Sequence, residues 1–336
     1  MRKVVLVTGA SSGLGLSHAV YLASKGYTVF GTSRDSSNIK LEELASIYRR
    51  DHTKWKFTDK EKLQLKAVKS LIPKRIERQL PELLEKITFF SMDVTSNHSV
   101  QQAINEIENT SKQLSGHGID VLINNAGVGF FGSVEELSLK SWEQSFDVNL
   151  FGTIRVIKAV LPFMRERKSG QIINTSSLGG LISIPFQTHY SASKAALKIF
   201  TEGLRTELKP FNIKVSTILP GDINTNFNRN TLNLIQDEKS EIASTNIKKI
   251  IEAINISPES PYYQQAKNVW KVIIQNLVVS PPPISISKKV GQIIKAKNPR
   301  VNYRIGGFDQ VLFLFLIRRF LTDRITNFAI EKYYGL

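Results

Sequence analysis

The sequence predicts an α/β protein. The expected architecture is a doubly wound parallel sheet of about seven strands with helices on both faces, one domain over residues 1–336. Three observations carry that expectation. A short apolar strand, a glycine turn and a helical pattern follow one another at the N-terminus. Strand and helix signals then alternate as far as about residue 220. Several strands run straight into glycine, asparagine or serine, at the end where open parallel sheets bind ligands.

The first strand is Arg2-Lys3-Val4-Val5-Leu6-Val7, and Thr8-Gly9-Ala10-Ser11-Ser12-Gly13-Leu14-Gly15 follows it. Leu16, Ala19, Val20 and Ala23 then repeat at helical spacing. Strand, glycine turn and helix make a phosphate cradle. The glycines let backbone N–H groups approach the ligand, and the helix N-terminus offers partial positive charge. The second strand, Tyr27–Phe30, ends at Gly31-Thr32-Ser33-Arg34. Arg34 stands nineteen residues past Gly15, where an acid would hold the ribose hydroxyls of NAD(H). Ser33 and Arg34, with Ser12 in the glycine turn, instead suit the 2′-phosphate of NADP(H) through charge-assisted hydrogen bonds. Asp35 next door keeps NAD(H) open as the alternative.

Fifty-nine positions separate Arg34 from Asp93, too many for one helix between neighbouring strands. Residues 47–86 are read as a basic helical insertion, with twelve Lys or Arg against six Asp or Glu, a net +6. Leu63, Ala67, Val68, Leu71 and Ile72 mark one amphipathic helix. After Pro81, which fits the first turn of a second helix, Leu83, Leu84 and Ile87 continue an apolar pattern. Charge runs are usually solvated faces, so the insertion is expected to cover the sheet edge; a docking surface for a membrane or partner is the alternative.

The third sheet strand, Thr88–Met92, ends at the turn Asp93-Val94-Thr95, where Thr95 or Ser96 caps a helix over Val100–Leu114. Ile119–Ile123 is the fourth and leads into Asn124-Asn125-Ala126-Gly127, whose amides can stabilise the sheet while the backbone lies against a ribose. Trp142–Met164 reads as one long helix. Asn149 within it is a poor helix former, of the kind that marks a bend or side-chain bonding to the backbone. Gln171–Thr175 is the fifth strand, and Ser176 and Ser177 lie just past it. Ile213–Leu219 is the sixth, ending at Pro220-Gly221, and Val301–Ile305 the seventh. Between these last two, helices are expected at Ile247–Ile256, Tyr262–Leu277 and Ser285–Ala296.

The stretch most suggestive of chemistry is Ser176-Ser177 through Tyr190-Ser191-Ala192-Ser193-Lys194. On a helix, Tyr190 and Lys194 lie one turn apart on the same face. A phenol with a pKa near ~10 exchanges protons poorly at neutral pH. A lysine ammonium beside it is expected to favour the phenolate and lower that pKa, which fits the tyrosine for acid/base work.

The glycine pattern, Asn124-Asn125-Ala126-Gly127, Asn149, Ser177, Tyr190 with Lys194, and Pro220-Gly221 with Thr225 stand in one order. In that order the chain resembles the short-chain dehydrogenase/reductases, closely over residues 1 to 225 and more loosely beyond. Within the family it is most like the reductases of steroids, retinoids and lipid ketones. The resemblance implies a Rossmann-type fold and an oxidoreductase interconverting a ketone or aldehyde with an alcohol. It implies a catalytic set of Asn149, Ser177, Tyr190 and Lys194. Ser177 is preferred to Ser176 because it precedes the tyrosine by the family's thirteen residues.

By the same resemblance, the pyrophosphate lies on Gly9, Ser11, Ser12, Gly13, Leu14 and Gly15, and Asp93 with Val94 holds the adenine. Asn125, Ala126 and Gly127 line the ribose, and Pro220, Gly221, Ile223 and Thr225 the nicotinamide. Tyr190 and Lys194 also touch the cofactor, and the carbonyl of Asn149 holds a water that links to the lysine. Residues 222–298 form a lid over an apolar pocket, facing Ile184-Pro185-Phe186. Relatives pair through long helices, which implies a dimer or tetramer.

Composition narrows the remaining classes. No cysteine means no disulfide, no thiolate metal site and no cysteine nucleophile, and five histidines without an H-E-x-x-H pair argue against a metal. With the first strand so near Met1, no signal peptide is expected, and no apolar run approaches the ~20 residues of a spanning helix. The expected location is cytoplasmic, with a peripheral membrane contact as a second option.

The net charge of +16 favours anionic partners. Nucleic acid is not expected, because the basic residues are spread out and no known module is present. Gly9-Ala10-Ser11-Ser12-Gly13 also fits a hydrolase nucleophile elbow, but too few residues precede it; Ser191-x-x-Lys194 lacks the other β-lactamase motifs. A catalytically quiet nucleotide-binding scaffold is the alternative function, and it would be signalled by loss of Ser177, Tyr190 or Lys194. None is lost. Residues 308–336 are read as a C-terminal helical extension. Its apolar run Val311–Ile317 is assigned to the pocket or a subunit contact, with a membrane surface as the alternative.

Overall fold

A computed structural model describes residues 2–57, 65–223, 254, 256–306 and 322–336. Its strands are β1 Val4–Val7, β2 Thr28–Ser33, β3 Thr53–Phe57, β4 Leu65–Ser70, β5 Ile87–Ser91, β6 Val121–Asn124, β7 Gly170–Thr175, β8 Ile213–Pro220 and β9 Asn302–Ile305. Seven of them make one parallel sheet in the order β5-β2-β1-β6-β7-β8-β9. The order reverses between β1 and β6, and a crevice for ligands opens beyond the C-terminal ends of strands at such a switch.

Side chains alternate across the sheet, so each strand feeds two cores. Val5, Val7 and Val29 enter one layer, and Val4, Leu6 and Phe30 the other. The helices are α1 Gly13–Ala23, α2 Leu41–Asp51, α3 Lys74–Arg78, α4 Leu80–Glu85, α5 Asn97–Ser115, α6 Leu139–Phe146, α7 Thr153–Glu166, α8 Thr188–Glu207, α9 Tyr263–Val279, α10 Pro283–Lys295 and α11 Asp323–Tyr334. The first core takes α1, α2, α4 and α10, and the second takes α5, α7 and the end of α8. The expected doubly wound parallel sheet of seven strands is therefore present. Within residues 222–298, α10 packs along α1 as part of the layer under the sheet.

The insertion departs from its expected form. Leu65–Ser70 is a strand, so Ala67 and Val68 lie on β4 and not on an amphipathic helix; Leu63 falls outside the described residues. β4 pairs antiparallel with β3 as a separate two-stranded sheet. Alternation in Lys54-Trp55-Lys56-Phe57 is a period of two, which the charge content masked, and short apolar runs fit helix and strand alike. The helical part of the insertion is α3 and α4, and Pro81 does sit in the first turn of α4.

The long helix expected over 142–164 begins earlier, at Leu139. It is broken by one wide π turn, Asp147–Gly152, that carries Asn149. Such turns are frequent at functional sites. The expected helix at 247–256, Thr225 and the apolar run 311–317 lie outside the described residues, apart from Ile254 and Ile256, which are buried.

Candidate active site

The turn after β1 is built for close approach to a ligand. Gly9 has φ +65° and Gly13 φ +55°, in the left-handed region that favours glycine. A Cβ on Gly15 would strike the carbonyl oxygen of Gly9 and lie 2.6 Å from Asn125 Nδ2, so only hydrogen fits there. Thr8 Oγ1 accepts the N–H groups of Asn125 (2.9 Å) and Ala126 (3.0 Å), which fixes the loop after β6 beside the glycine turn. Asn125 Nδ2 donates to the Thr8 carbonyl at 3.2 Å. Ser11, Ser12 and Leu14 lie on this turn, and Ser12 is the residue that precedes α1 without using its side chain as a cap. The cradle fits a pyrophosphate: backbone N–H groups at a helix start, cleared of side chains by glycine.

At the end of β2, Ser33 is half-buried and Arg34 is exposed. Asp35 folds back onto its own loop. Its carboxylate accepts the Ser37 N–H (2.9 Å), the Ser37 hydroxyl (2.6 Å) and Asn38 Nδ2 (2.6 Å). The Ser37 hydroxyl first, then those other donors, hold that carboxyl below the usual range. Asp93, past β5, accepts the N–H (2.9 Å) and hydroxyl (2.7 Å) of Thr95 on Oδ1, and Ser96 caps α5 by accepting the Ser99 N–H. Val94 packs against Gly152 of the π turn, where a Cβ would come within 2.8 Å of it.

Asn149 is fully buried. Its Oδ1 accepts the Val128 N–H (2.9 Å), and its Nδ2 donates to the Val128 carbonyl (2.9 Å) and Ser193 Oγ (3.0 Å). The π turn, the loop beyond Gly127 and helix α8 are thereby joined. Gly127 passes between Asn149 and Lys194; a Cβ there would lie 3.1 Å from Asn149 Oδ1 and 3.3 Å from Lys194 Nζ. The Asn149 carbonyl accepts the Thr153 hydroxyl at 3.2 Å.

Past β7 the two serines separate in role. Ser176 Oγ donates to the Lys194 carbonyl at 2.7 Å and is buried, a structural tie to α8. Ser177 accepts the Gly179 N–H at 3.0 Å, and its hydroxyl hydrogen-bonds the Tyr190 phenol. Lys194 Nζ donates to the Thr175 carbonyl at 2.9 Å and lies 5.7 Å from the centroid of the Tyr190 ring. Pro220 ends β8, Gly221 and Ile223 follow it on the same edge, and the Gly221 N–H is bonded to the Ile305 carbonyl at 2.8 Å. The structure thus gathers the expected residues along one end of the sheet, Thr225 excepted.

The acid–base balance differs from the sequence expectation. Burial pushes the Tyr190 phenol up to about 12, Ser177 pulls it down, and Asp222 adds to the upward push. The expected lowering by Lys194 does not appear, because the cost of burying a phenolate is the larger effect. Lys194 itself is drawn down to about 8 by burial. Tyr190 is therefore a protonated phenol at neutral pH, a donor in its resting form.

Several contributors were not picked out from the sequence. Ser193 accepts from Asn149 and donates to the Tyr190 carbonyl at 2.8 Å. His189, buried and drawn down to about 4, is neutral; its Nε2 accepts the Phe130 N–H at 3.0 Å. Burial raises the Tyr333 and Tyr334 phenols and Asp222 adds to both, so the end of α11 lies near Asp222. Their only sequence signal is adjacency to the glycine and tyrosine motifs. Beside the site lies a third apolar cluster, Phe131, Ile254, Ile256, Val269, Trp270 and Ile273, against which Ile184, Phe186 and Tyr334 pack.

A dinucleotide cradle beside a Ser–Tyr–Lys constellation defines an oxidoreductase of the Rossmann class. The chain belongs to the short-chain dehydrogenase family, whose family model, described as short chain dehydrogenase, matches residues 60–234. It is 31% identical to the 3-ketodihydrosphingosine reductase of Bacteroides thetaiotaomicron, over 99% of this chain and 98% of that one. It is also 31% identical to retinol dehydrogenase 8 of Bos taurus, over 84% of this chain and 80% of the relative. Among solved structures, a short-chain dehydrogenase from Streptomyces avermitilis is similar, with a TM-score of 0.64 and 27% identity over 98% of this chain and 96% of that one.

Proposed function

We propose that the protein is an NADP(H)-dependent reductase that interconverts a ketone or aldehyde and an alcohol on an apolar, lipid-like substrate, with Tyr190 as acid/base. The observation that carries this reading is the Ser177–Tyr190 hydrogen bond, one helical turn from Lys194 and flanked by an aromatic wall. Gly9 and Gly15 would hold the pyrophosphate, and Asn125, Ala126 and Gly127 the nearer ribose. Asp93 and Val94 would meet the adenine, and Pro220, Gly221, Ile223 and Thr225 the nicotinamide. Arg34, with Ser33 and Ser12, would bind a 2′-phosphate, while Asp35 is turned away into its own loop. That favours NADP(H) over NAD(H).

When bound, the nicotinamide supplies the hydride. Ser177 and Tyr190 donate hydrogen bonds to the carbonyl oxygen as negative charge grows there. Tyr190 then gives its proton to that oxygen, which its protonated resting form allows. Lys194 supplies positive charge beneath the ring, returns a proton to the Tyr190 phenolate, and is itself re-protonated along the Asn149 side of the site. In the oxidising direction the same groups take the proton back.

Residues 254–279 support a lid reading. Phe131 meets Trp270 at 4.9 Å and stacks on Phe186 at 5.6 Å, an apolar wall suited to a hydrocarbon chain or ring. The reductase of a sphingoid ketone and the dehydrogenase of retinol among the relatives agree with that substrate class. Phe151 and Ile199 are exposed on the helices that carry Asn149 and Tyr190, which supports a homo-oligomer. A lipid-like substrate resides in membranes, so the reading includes a peripheral membrane contact. No helix among the described residues is long and apolar enough to cross a membrane.

A screen of NADPH and NADH oxidation with retinal, 3-ketodihydrosphingosine and steroid ketones tests the proposal. Turnover with NADPH and at least one such carbonyl is expected. Tight cofactor binding without turnover of any would point to the nucleotide-binding scaffold instead.

A further inference from the structure

We propose that one face of the β3–β4 hairpin is a docking surface for an anionic membrane. Lys54 pairs directly with Lys69 across the two strands, and Lys56 with Lys66. Directly opposite residues share a face of a sheet, and so do residues two apart. Lys66 and Lys69 are three apart, but a register shift between Lys54 and Trp55 gives β4 one extra residue there, so they still stand opposite Lys56 and Lys54. The four lysines therefore form a ladder on one face, and all four are exposed. Among the described residues, no carboxylate pairs with any of them.

Like charges placed directly opposite weaken a hairpin. Here two such pairs stand in succession. The ladder measures about 7 Å along the strand and about 5 Å across, inside the ~8 Å Debye length at physiological salt, so the four charges act together. Residues 53–70 carry six lysines against Asp59 and Glu61, a net +4.

The position of the hairpin selects the partner. β3 packs on α9, and α9 carries Trp270, which lies against Phe131 in the wall beside Tyr190. A surface that meets the lysines is thus one element away from the apolar wall. Lys271 of α9 is exposed as well. Lysine is a compact point charge suited to the diffuse negative potential of acidic lipid headgroups, whereas bidentate phosphate recognition in nucleic acid favours arginine. The strands of the ribbon contain no arginine. The docking role rests on the proposed lipid-like substrate for its purpose, but its test does not depend on turnover.

The experiment uses the full chain and vesicles of phosphatidylcholine with about one third phosphatidylserine, compared with phosphatidylcholine alone. Co-sedimentation is read near 0.1 M and near 1 M salt, where the Debye length is ~10 Å and ~3 Å. The wild type is expected to pellet with the acidic vesicles at low salt only. Each lysine near such a surface is worth roughly a fivefold gain in affinity, so K54Q/K56Q/K66Q/K69Q should weaken binding by about two to three orders of magnitude. A control with the same change of charge elsewhere, K140Q/K209Q/K295Q/K297Q, should keep most of it. Thermal unfolding followed by circular dichroism checks that both variants are folded.

Unchanged binding by the ladder variant, or equal loss in the control, would overturn the proposal. So would failure of the wild type to pellet, or stronger binding of single-stranded RNA through the same lysines. If the wild type pellets through the ladder yet reduces no carbonyl compound, the docking surface stands and the functional reading fails.

Discussion

Replacing Asn149 by alanine should damage both stability and turnover, because this side chain ties three segments together. It is fully buried and makes three hydrogen bonds of 2.9–3.0 Å, two to Val128 and one to Ser193, with a longer one to Ser145 at 3.3 Å. A net contribution of about 1 kcal/mol for each good bond gives about 3 kcal/mol. Alanine regains about 0.5 kcal/mol of helix propensity, and the small cavity removes a similar amount or more. The expected loss is about 2–4 kcal/mol, read as a lower urea midpoint at unchanged slope. Turnover should fall as well. Gly127 lies against this amide and has Lys194 on its other side, and a displacement of about 1 Å at a reacting group costs roughly a hundredfold. Wild-type stability together with wild-type turnover would refute the clamp.

Three further outcomes are expected. Arg34→Ser should weaken NADPH roughly ten- to a hundredfold and leave NADH little changed, measured by fluorescence titration; equal losses would show that Arg34 does not read the 2′-phosphate. Carbonyl reduction should fall as pH rises through about 8, where Lys194 loses its charge, and a Lys194→Arg variant that stays folded should move that limb upward. At the acid end, His18 and His52 are buried with values drawn down to about 3 and about 4. The unfolded chain takes up protons first, so their contribution is complete above about 6.5 and lost as pH falls towards 4 and 3. Each gives a slope of about 1.4 kcal/mol per pH unit in that window, and His52→Gln should remove one such increment from the urea-derived stability curve.

Much of the fold could be read in the sequence because it rests on local signals. The glycine turn, the apolar strands and the four-residue spacing of Tyr190 and Lys194 each fix a local geometry, and the strand ends place them on one edge. What stayed hidden depends on tertiary contact. Nothing in the period of residues 139–166 announces an extra residue in one turn, although the low helix propensity of Asn149 pointed to its place. The hairpin was concealed because its alternation is carried by lysines, which also suit an exposed helix face. Spacing predicts that Lys194 neighbours Tyr190, but the direction of the phenol's shift depends on how deeply the ring is buried and on Asp222. Ser193 and His189 acquire their roles only when α8 meets the π turn and the loop at Phe130.

The central claim is that Tyr190 hands its proton to the substrate oxygen. It is tested most directly by single-turnover reduction of a carbonyl substrate by Tyr190→Phe with NADPH bound. Phenylalanine keeps the ring and removes only the hydroxyl that Ser177 engages. Cofactor affinity is expected to stay near the wild-type value while the reduction rate falls ~10²–10⁴-fold. A variant that retained more than about a tenth of the wild-type rate would contradict the account, since general acid catalysis is worth at least ~10²-fold.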